Sequence, residues 1–364
     1  MTEIKNEYYP DYVTPPGETL QELLETLGMS KKELALRIGK TEKTIGEIIK
    51  HNAPITPGTA MELEKVFGVP ASFWNSRECR YRENIARQEE ESTLLKNINW
   101  LEAMPVREMI RKGWVRDLKD NSLEQLKELL SFFAVSNPAQ WEEYWLSPKA
   151  VYRISTSTNT DPKPCAAWIR QGELIANKIK CESYTSAKFL ENLKIIRKLT
   201  KKEPATFQKE ATKLCAAAGV AVIFLPPLKK MSVYGVTRWL TPDKAMLLLS
   251  LRGSYEDILW FTFFHEAGHI LKHGKREVFI EDKDDCNQLE EEANSFARDF
   301  LIPPKDYRNL MSKQIKDSQF IKSFAEELSI SPAIIVGRLM HEKLLPWGSR
   351  LSNIRRRFSF KNNV

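Results

Sequence analysis

A chain of 364 residues that is 42% hydrophobic and 28% charged is long enough for two or three globular domains, each with its own core. The amino-terminal MTEIKNEYYPDYV holds no apolar signal core, and no run approaches the about eighteen apolar residues of a membrane span, so a cytoplasmic location is expected. The net charge of +7 is unevenly placed: residues 1–80 hold ten Lys and Arg against twelve Asp and Glu, a net of −2, and the remaining 284 residues carry +9.

In chain order, Gly17 to Leu27 reads as a helix with apolar Leu20, Leu23, Leu24 and Leu27. Ser30-Lys31-Lys32-Glu33 is a capping-box pattern that opens a second helix, with Ala35 in its middle. Gly39 makes a turn, and Thr41 begins a third helix with Ile45, Ile48 and Ile49 facing inward. Thr59 to Phe67, with Met61, Leu63, Val66 and Phe67, reads as a further helix, giving a compact bundle of four or five helices with helix-turn-helix features. The stretch from Pro15 to Trp74, with PPGETLQELL, the turn, PITPGTAMELEKVFG and PASFW in order, resembles the XRE-like antitoxin repressors of the host-inhibition-of-growth (HigA) type.

That resemblance implies operator DNA as a partner, an association with toxin control and a cognate toxin as a further partner. If the docking is the usual one, Thr41, Glu42, Lys43, Thr44 and Glu47 meet base edges. Lys31, Lys32, Lys40, Lys43 and Lys50 are available to line a phosphate-facing surface. An acidic reader accepts only from cytosine or must turn away, so Glu42 and Glu47 leave open a second reading, a module used for dimerisation or partner binding. A two-fold operator would call for a homodimer.

Residues 81–204 are quieter. A charged connector near Arg80 to Lys96 leads to helical stretches such as Leu123 to Phe133 and Trp168 to Lys178, with a loop from Ser155 to Lys163. The cysteines Cys79, Cys165, Cys181, Cys215 and Cys286 are odd in number and widely spaced, which argues against a disulfide framework and a cysteine zinc site. A long helix from Phe207 to Ala218 precedes a strand from Gly219 to Leu225, and Lys244 to Leu251 reads as a second strand. A sheet edge ahead of a metal helix can hold an extended substrate by backbone hydrogen bonds.

The richest chemistry lies at His265-Glu266-Ala267-Gly268-His269, where two imidazoles four residues apart share one helix face and can grip a single zinc ion. A hydrolytic zinc needs a third protein ligand and a fourth position for water. Glu290, 21 residues after His269, is the expected third ligand. Ala293, Asn294 and Ala297 follow it at i+3, i+4 and i+7, a small-residue stripe that lets two helices approach closely. Asn294 is placed to orient a ligand imidazole. Glu266 points beside the histidines and is the expected general base, taking a proton from water that the metal has acidified. His273, four residues after His269, is expected to face a ligand from outside or to face solvent.

FTFFHEAGHILKH from Phe261 to His273, then EEEANSFARDFLIPP from Glu290 to Pro304, resembles the ImmA/IrrE group of zinc metallopeptidases, over about residues 205–345. FAEELSISPAIIVGRL from Phe324 to Leu339 is similar to that group's closing helices, with Arg338 at its usual arginine. Tyr234, Arg338 and His341 are candidates to steady an oxyanion, with structural roles as the simpler reading for each.

The expected whole is a mainly α protein with a small β-sheet (α+β): a helix-turn-helix domain at 1–80, a helical middle region at 81–204, a zincin-like domain at 205–348 and a basic tail at 349–364, read as solvated. Two functions compete. One is a DNA-associated zinc metalloendopeptidase that cuts a specific regulatory protein. The other is an antitoxin-type repressor whose zincin domain is a sensor or partner-binding module with little proteolysis.

Overall fold

The structure is a computed structural model that describes residues 13–146, 161–250, 255–273, 283–313 and 317–358, with side chains in the fourth segment from Gln288 onward. The chain forms two compact units, Met1–Ile98 and Asn99–Val364. Residues 155–160 of the expected loop, Leu251 of the expected strand, the Cys286 side chain and 359–364 of the tail lie outside the described residues.

The first unit contains α1 (Pro16–Thr26), α2 (Lys31–Arg37), α3 (Glu42–Ile49), α4 (Pro57–Phe67) and α5 (Ala71–Lys96). Local chemistry sets the starts: Ser30, Thr41 and Thr56 each accept a hydrogen bond from the backbone N–H three residues on. Gly39, at φ +68°, supplies the left-handed residue that turns α2 into α3. Leu20, Leu34, Ile45, Leu63 and Trp74 make the centre of the core. A Cβ on Gly17 would run into the Ile48 carbonyl oxygen, so only glycine lets α1 lie this close to α3. Leu27 and Met61, expected among the apolar helix residues, are each 57% exposed and stand outside this core. The charged stretch expected as a connector is helical and continues α5, because its i, i+4 pairs Glu78–Arg82 and Glu83–Arg87 support a solvated helix.

The second unit begins with α6 (Trp100–Ala103), α7 (Val106–Arg111), α8 (Ser122–Phe133) and α9 (Pro138–Trp145). Phe133 and Trp141 pack edge to face at 5.5 Å between ring centroids, with Trp100 and Trp145 against them. Then follow α10 (Pro162–Lys178), α11 (Ser186–Lys198) and α12 (Pro204–Ala216), the strands β1 (Val220–Phe224), β2 (Gly235–Thr241) and β3 (Lys244–Leu249), and α13 (Glu256–Lys272). The unit closes with α14 (Lys283–Leu301), α15 (Pro304–Ser312), α16 (Ser318–Glu327) and α17 (Pro332–His341).

The sheet has order β1-β3-β2, with β1 parallel and β2 antiparallel to β3. β3 is buried on both faces, hence its continuous apolar run. Leu247 joins the core shared with α13, whereas Leu248 meets Gly172 of α10 on the other face. β2 is absent from the sequence-based expectation. It forms one edge of the sheet and lies against α13.

The tail reading requires correction. Residues 350–354 lie against α17, and the residues after them reach the start of α13: Arg355 makes a buried two-bond pair with Asp257, with N–O distances of 2.8 Å, and Arg356 pairs with buried Glu256. Two acids in the first turn suit the positive end of the helix dipole, and once buried they require cations. Among the described residues no helix is long and apolar enough to cross a membrane.

Candidate functional site

α13 brings His265 and His269 onto one face, with their Nε2 atoms 3.0 Å apart. α14 crosses that face, setting Glu290 Oε2 at 3.3 Å from His265 Nε2 and its Oε1 at 3.4 Å from His269 Nε2. The crossing is close because the contact residues are small: a Cβ on Gly268 would lie 3.3 Å from Ala293 Cα. One ligand atom from each of His265, His269 and Glu290 falls within 4.8 Å of the others, a group that could hold a metal ion.

Asn294 Oδ1 is 3.0 Å from His265 Nδ1. An amide oxygen only accepts, so His265 carries its proton on Nδ1 and turns the Nε2 lone pair toward His269. Two nitrogens 3.0 Å apart beside a carboxylate need a shared proton or a cation between them, and the N, N, O donor set suits a divalent metal. Burial opposes ionisation of Glu290, but hydrogen bonds and charge from His265 and His269 hold its carboxyl well below the usual carboxylate range.

Glu266 is 7% exposed and faces β2, where Thr237 Oγ1 donates to its Oε2 at 2.7 Å. Gly235 makes this placement possible, since a Cβ there would stand 2.8 Å from Glu266 Cγ. Burial pushes the Glu266 carboxyl up, with His265, His269 and the Thr237 hydroxyl pulling it part of the way back. Thr237 and Gly235 escaped the sequence reading, although GVTRWLT followed by Pro242-Asp243 has the β-branched and aromatic composition of a strand before a turn.

A cavity of about 710 Å³ contains the four residues and extends to Tyr234, Arg338, His341, Trp347 and Arg355. Arg338 is engaged structurally: its guanidinium lies 3.6 Å from the centroid of the Tyr307 ring, and it donates to Glu342 and to the carbonyls of Arg298 and Ile302. His273 is 6% exposed, so its solvent-facing alternative falls, and its Nδ1 lies 3.0 Å from His269 Nδ1.

In the first unit, Thr41, Glu42, Lys43 and Lys50 are exposed on α3 and its ends, while Thr44 and Glu47 are half-buried. The Thr41 hydroxyl is committed to capping: it accepts from Thr44 N at 3.1 Å and lies 2.9 Å from Thr44 Oγ1. Lys40 pairs with Glu62 at 3.3 Å, which reduces its charge toward a phosphate.

A helix-turn-helix family model matches residues 20–74, and a model of the IrrE N-terminal-like domain matches residues 215–340. The chain joins a helix-turn-helix domain to an IrrE N-terminal-like domain. It is 33% identical over 78 residues to virulence-associated protein I of Dichelobacter nodosus, a span that is 21% of this chain and 72% of that protein. Among solved structures it is similar to an antidote protein of a plasmid maintenance system from Nostoc punctiforme, at 24% identity and a TM-score of 0.23 over 23% of this chain and 91% of that one. An addiction module antidote protein of the HigA family from Coxiella burnetii matches at 29% identity and a TM-score of 0.22, over 23% and 92% of the two chains. His265, His269, Glu290, Glu266 and β2 all fall within the IrrE N-terminal-like match, whereas Arg355 and Arg356 lie beyond its end.

Proposed function

We propose that this chain is a regulatory zinc metalloendopeptidase, brought to operator DNA by its helix-turn-helix domain, that cleaves a specific regulatory protein in transcriptional or toxin–antitoxin control. The convergence of His265, His269 and Glu290 around one point, with Glu266 buried beside them, carries the reading. Those three residues would hold the zinc, leaving the fourth position that hydrolysis requires. A zinc ion held there would supply Lewis acidity, the chemistry that favours loss of a proton from water and attack at a carbonyl. Glu266 takes the proton from that water and returns it to the leaving amine, while Thr237 holds the carboxylate in register. The outer edge of β2 beside the cavity suits an extended substrate chain paired through its backbone. Exposed Lys43 and Lys50 support a nucleic-acid surface on the first domain, and the likeness of Pro15 to Trp74 to HigA-type antitoxin repressors makes a toxin the further partner in this reading.

Elemental mass spectrometry tests the metal centre, with wild type beside His265→Ala and Glu290→Ala. About one zinc per wild-type chain, lost in both variants, is expected. A metal-replete wild type without zinc would move the function to the repressor reading. Glu266→Gln should retain zinc and lose cleavage of the target protein, and surviving proteolysis would remove Glu266 as the base.

A further inference from the structure

We infer that His273 and Glu292 form an outer pair that sets the tautomer of His269 and so presents its Nε2 lone pair to the metal. This rests on the zinc-centre reading above. Glu292 Oε2 lies 3.3 Å from His273 Nε2. An ionised carboxylate offers only acceptors, so the hydrogen of a neutral His273 sits on Nε2, and its Nδ1 is left as an acceptor. That Nδ1 faces His269 Nδ1 at 3.0 Å, so His269 Nδ1 donates. The His269 lone pair is then on Nε2, the atom that faces His265 Nε2 at 3.0 Å and Glu290 Oε1 at 3.4 Å.

The arrangement is the counterpart of Asn294 on the other ligand. Asn294 fixes His265 directly, and Glu292 fixes His269 through one intervening imidazole. Glu290 and Asn294, at i and i+4, share the face of α14 that meets the two ligand imidazoles, whereas Glu292 starts off that face and its flexible side chain reaches round to the ring one turn further on. The His273 side chain is 2% exposed, so bulk water does not substitute for it, whereas Glu292 sits at the rim with its side chain 45% exposed. Gln288 Nε2 donates to the second Glu292 oxygen at 3.1 Å and holds the carboxylate in place. His273 is a positioning residue, acting through His269.

Two measurements on the full chain test this, with wild type beside His273→Ala, His273→Gln and Glu292→Ala. The first is zinc affinity by competition with a chromogenic chelator. The second is long-range proton–nitrogen NMR of the histidine rings in metal-free protein, above the imidazole pKa. Wild-type His269 should be mainly the Nδ1–H tautomer, and His273→Ala and Glu292→Ala should move it toward Nε2–H. Loss of an outer partner of this kind weakens metal affinity by about 10- to 100-fold, expected in full for His273→Ala and in part for exposed Glu292→Ala. His273→Gln, whose amide oxygen still accepts from His269 Nδ1, should recover part of both signals. An unchanged His269 tautomer, or an unchanged zinc affinity, in both alanine variants overturns the inference; Glu292→Ala, at the rim, keeps the test valid should His273→Ala fail to fold. A wild type that binds no zinc but shows the expected tautomers would overturn the zinc reading alone.

Discussion

Replacing Arg355 with methionine removes the cation beneath Asp257 while keeping most of the side-chain volume. Asp257 is 8% exposed and Arg355 is 7% exposed, so the surviving carboxylate would be largely withdrawn from bulk water. Breaking a buried pair by deleting one partner costs about 3–5 kcal/mol, because the other charge is left uncompensated. At a few degrees per kcal/mol for a domain of this size, the second unit should melt roughly 10 °C lower. The loss also carries a pH signature. Burial already pushes the Asp257 carboxyl up, with the hydrogen bond and charge of Arg355 pulling it back. Without Arg355 the folded-state pKa rises further above the unfolded value of about 4. A carboxyl raised in the folded state destabilises above the unfolded pKa, and that cost fades as pH falls and the folded chain takes up the proton. The deficit should therefore be largest at neutral pH and should shrink in mild acid. Adding Asp257→Asn should recover part of it by removing the stranded charge. Thermal melts of the three proteins at neutral and mildly acidic pH decide the matter: a neutral-pH melt like wild type, or a deficit equal at both pH values, would refute the reasoning.

Gly235→Ala would place a methyl group 2.9 Å from Glu266 Oε1, so zinc content should hold while target cleavage falls by about 10²-fold, the effect of a misplacement near 1 Å; full activity would show that the base has room to move. Glu78→Ala leaves the buried Ile55 N–H without its acceptor at 3.0 Å and should cost the first unit about 1–3 kcal/mol in denaturant titrations, with an unchanged midpoint counting against that hydrogen bond as a support of the α3–α4 loop. Alanine at both Lys43 and Lys50 should weaken operator binding and lower the salt slope by about two units, whereas unchanged mobility-shift curves would remove α3 from the DNA.

Much of the candidate metal site is legible in local spacing. His265 and His269 share a face by helix period alone, and the Glu290-to-Ala297 stripe announces a close helix crossing without any knowledge of the fold. The helix-turn-helix domain is equally local: Ser30, Thr41 and Gly39 set caps and a turn within a few residues of themselves. Leu27 and Met61 show the limit of periodicity, since an apolar residue at a helix end or flank stays exposed when no neighbouring element covers it. His273 shows the same limit in reverse, because spacing along α13 could not say whether a partner waited on α14.

By itself the sequence determined the elements whose information is short-ranged: the caps, the turn, the two-histidine helix face and its likeness to a metallopeptidase. Only the tertiary structure decided that β2 is the edge strand beside Glu266, that Glu292 reaches His273, and that Arg355 is buried and Arg356 half-buried against α13. Arg355 and Asp257 are 98 residues apart, and a run of arginines reads the same whether it ends in water or on a buried carboxylate. Their pairing is settled by desolvation, which acts only once the rest of the chain has closed over both charges.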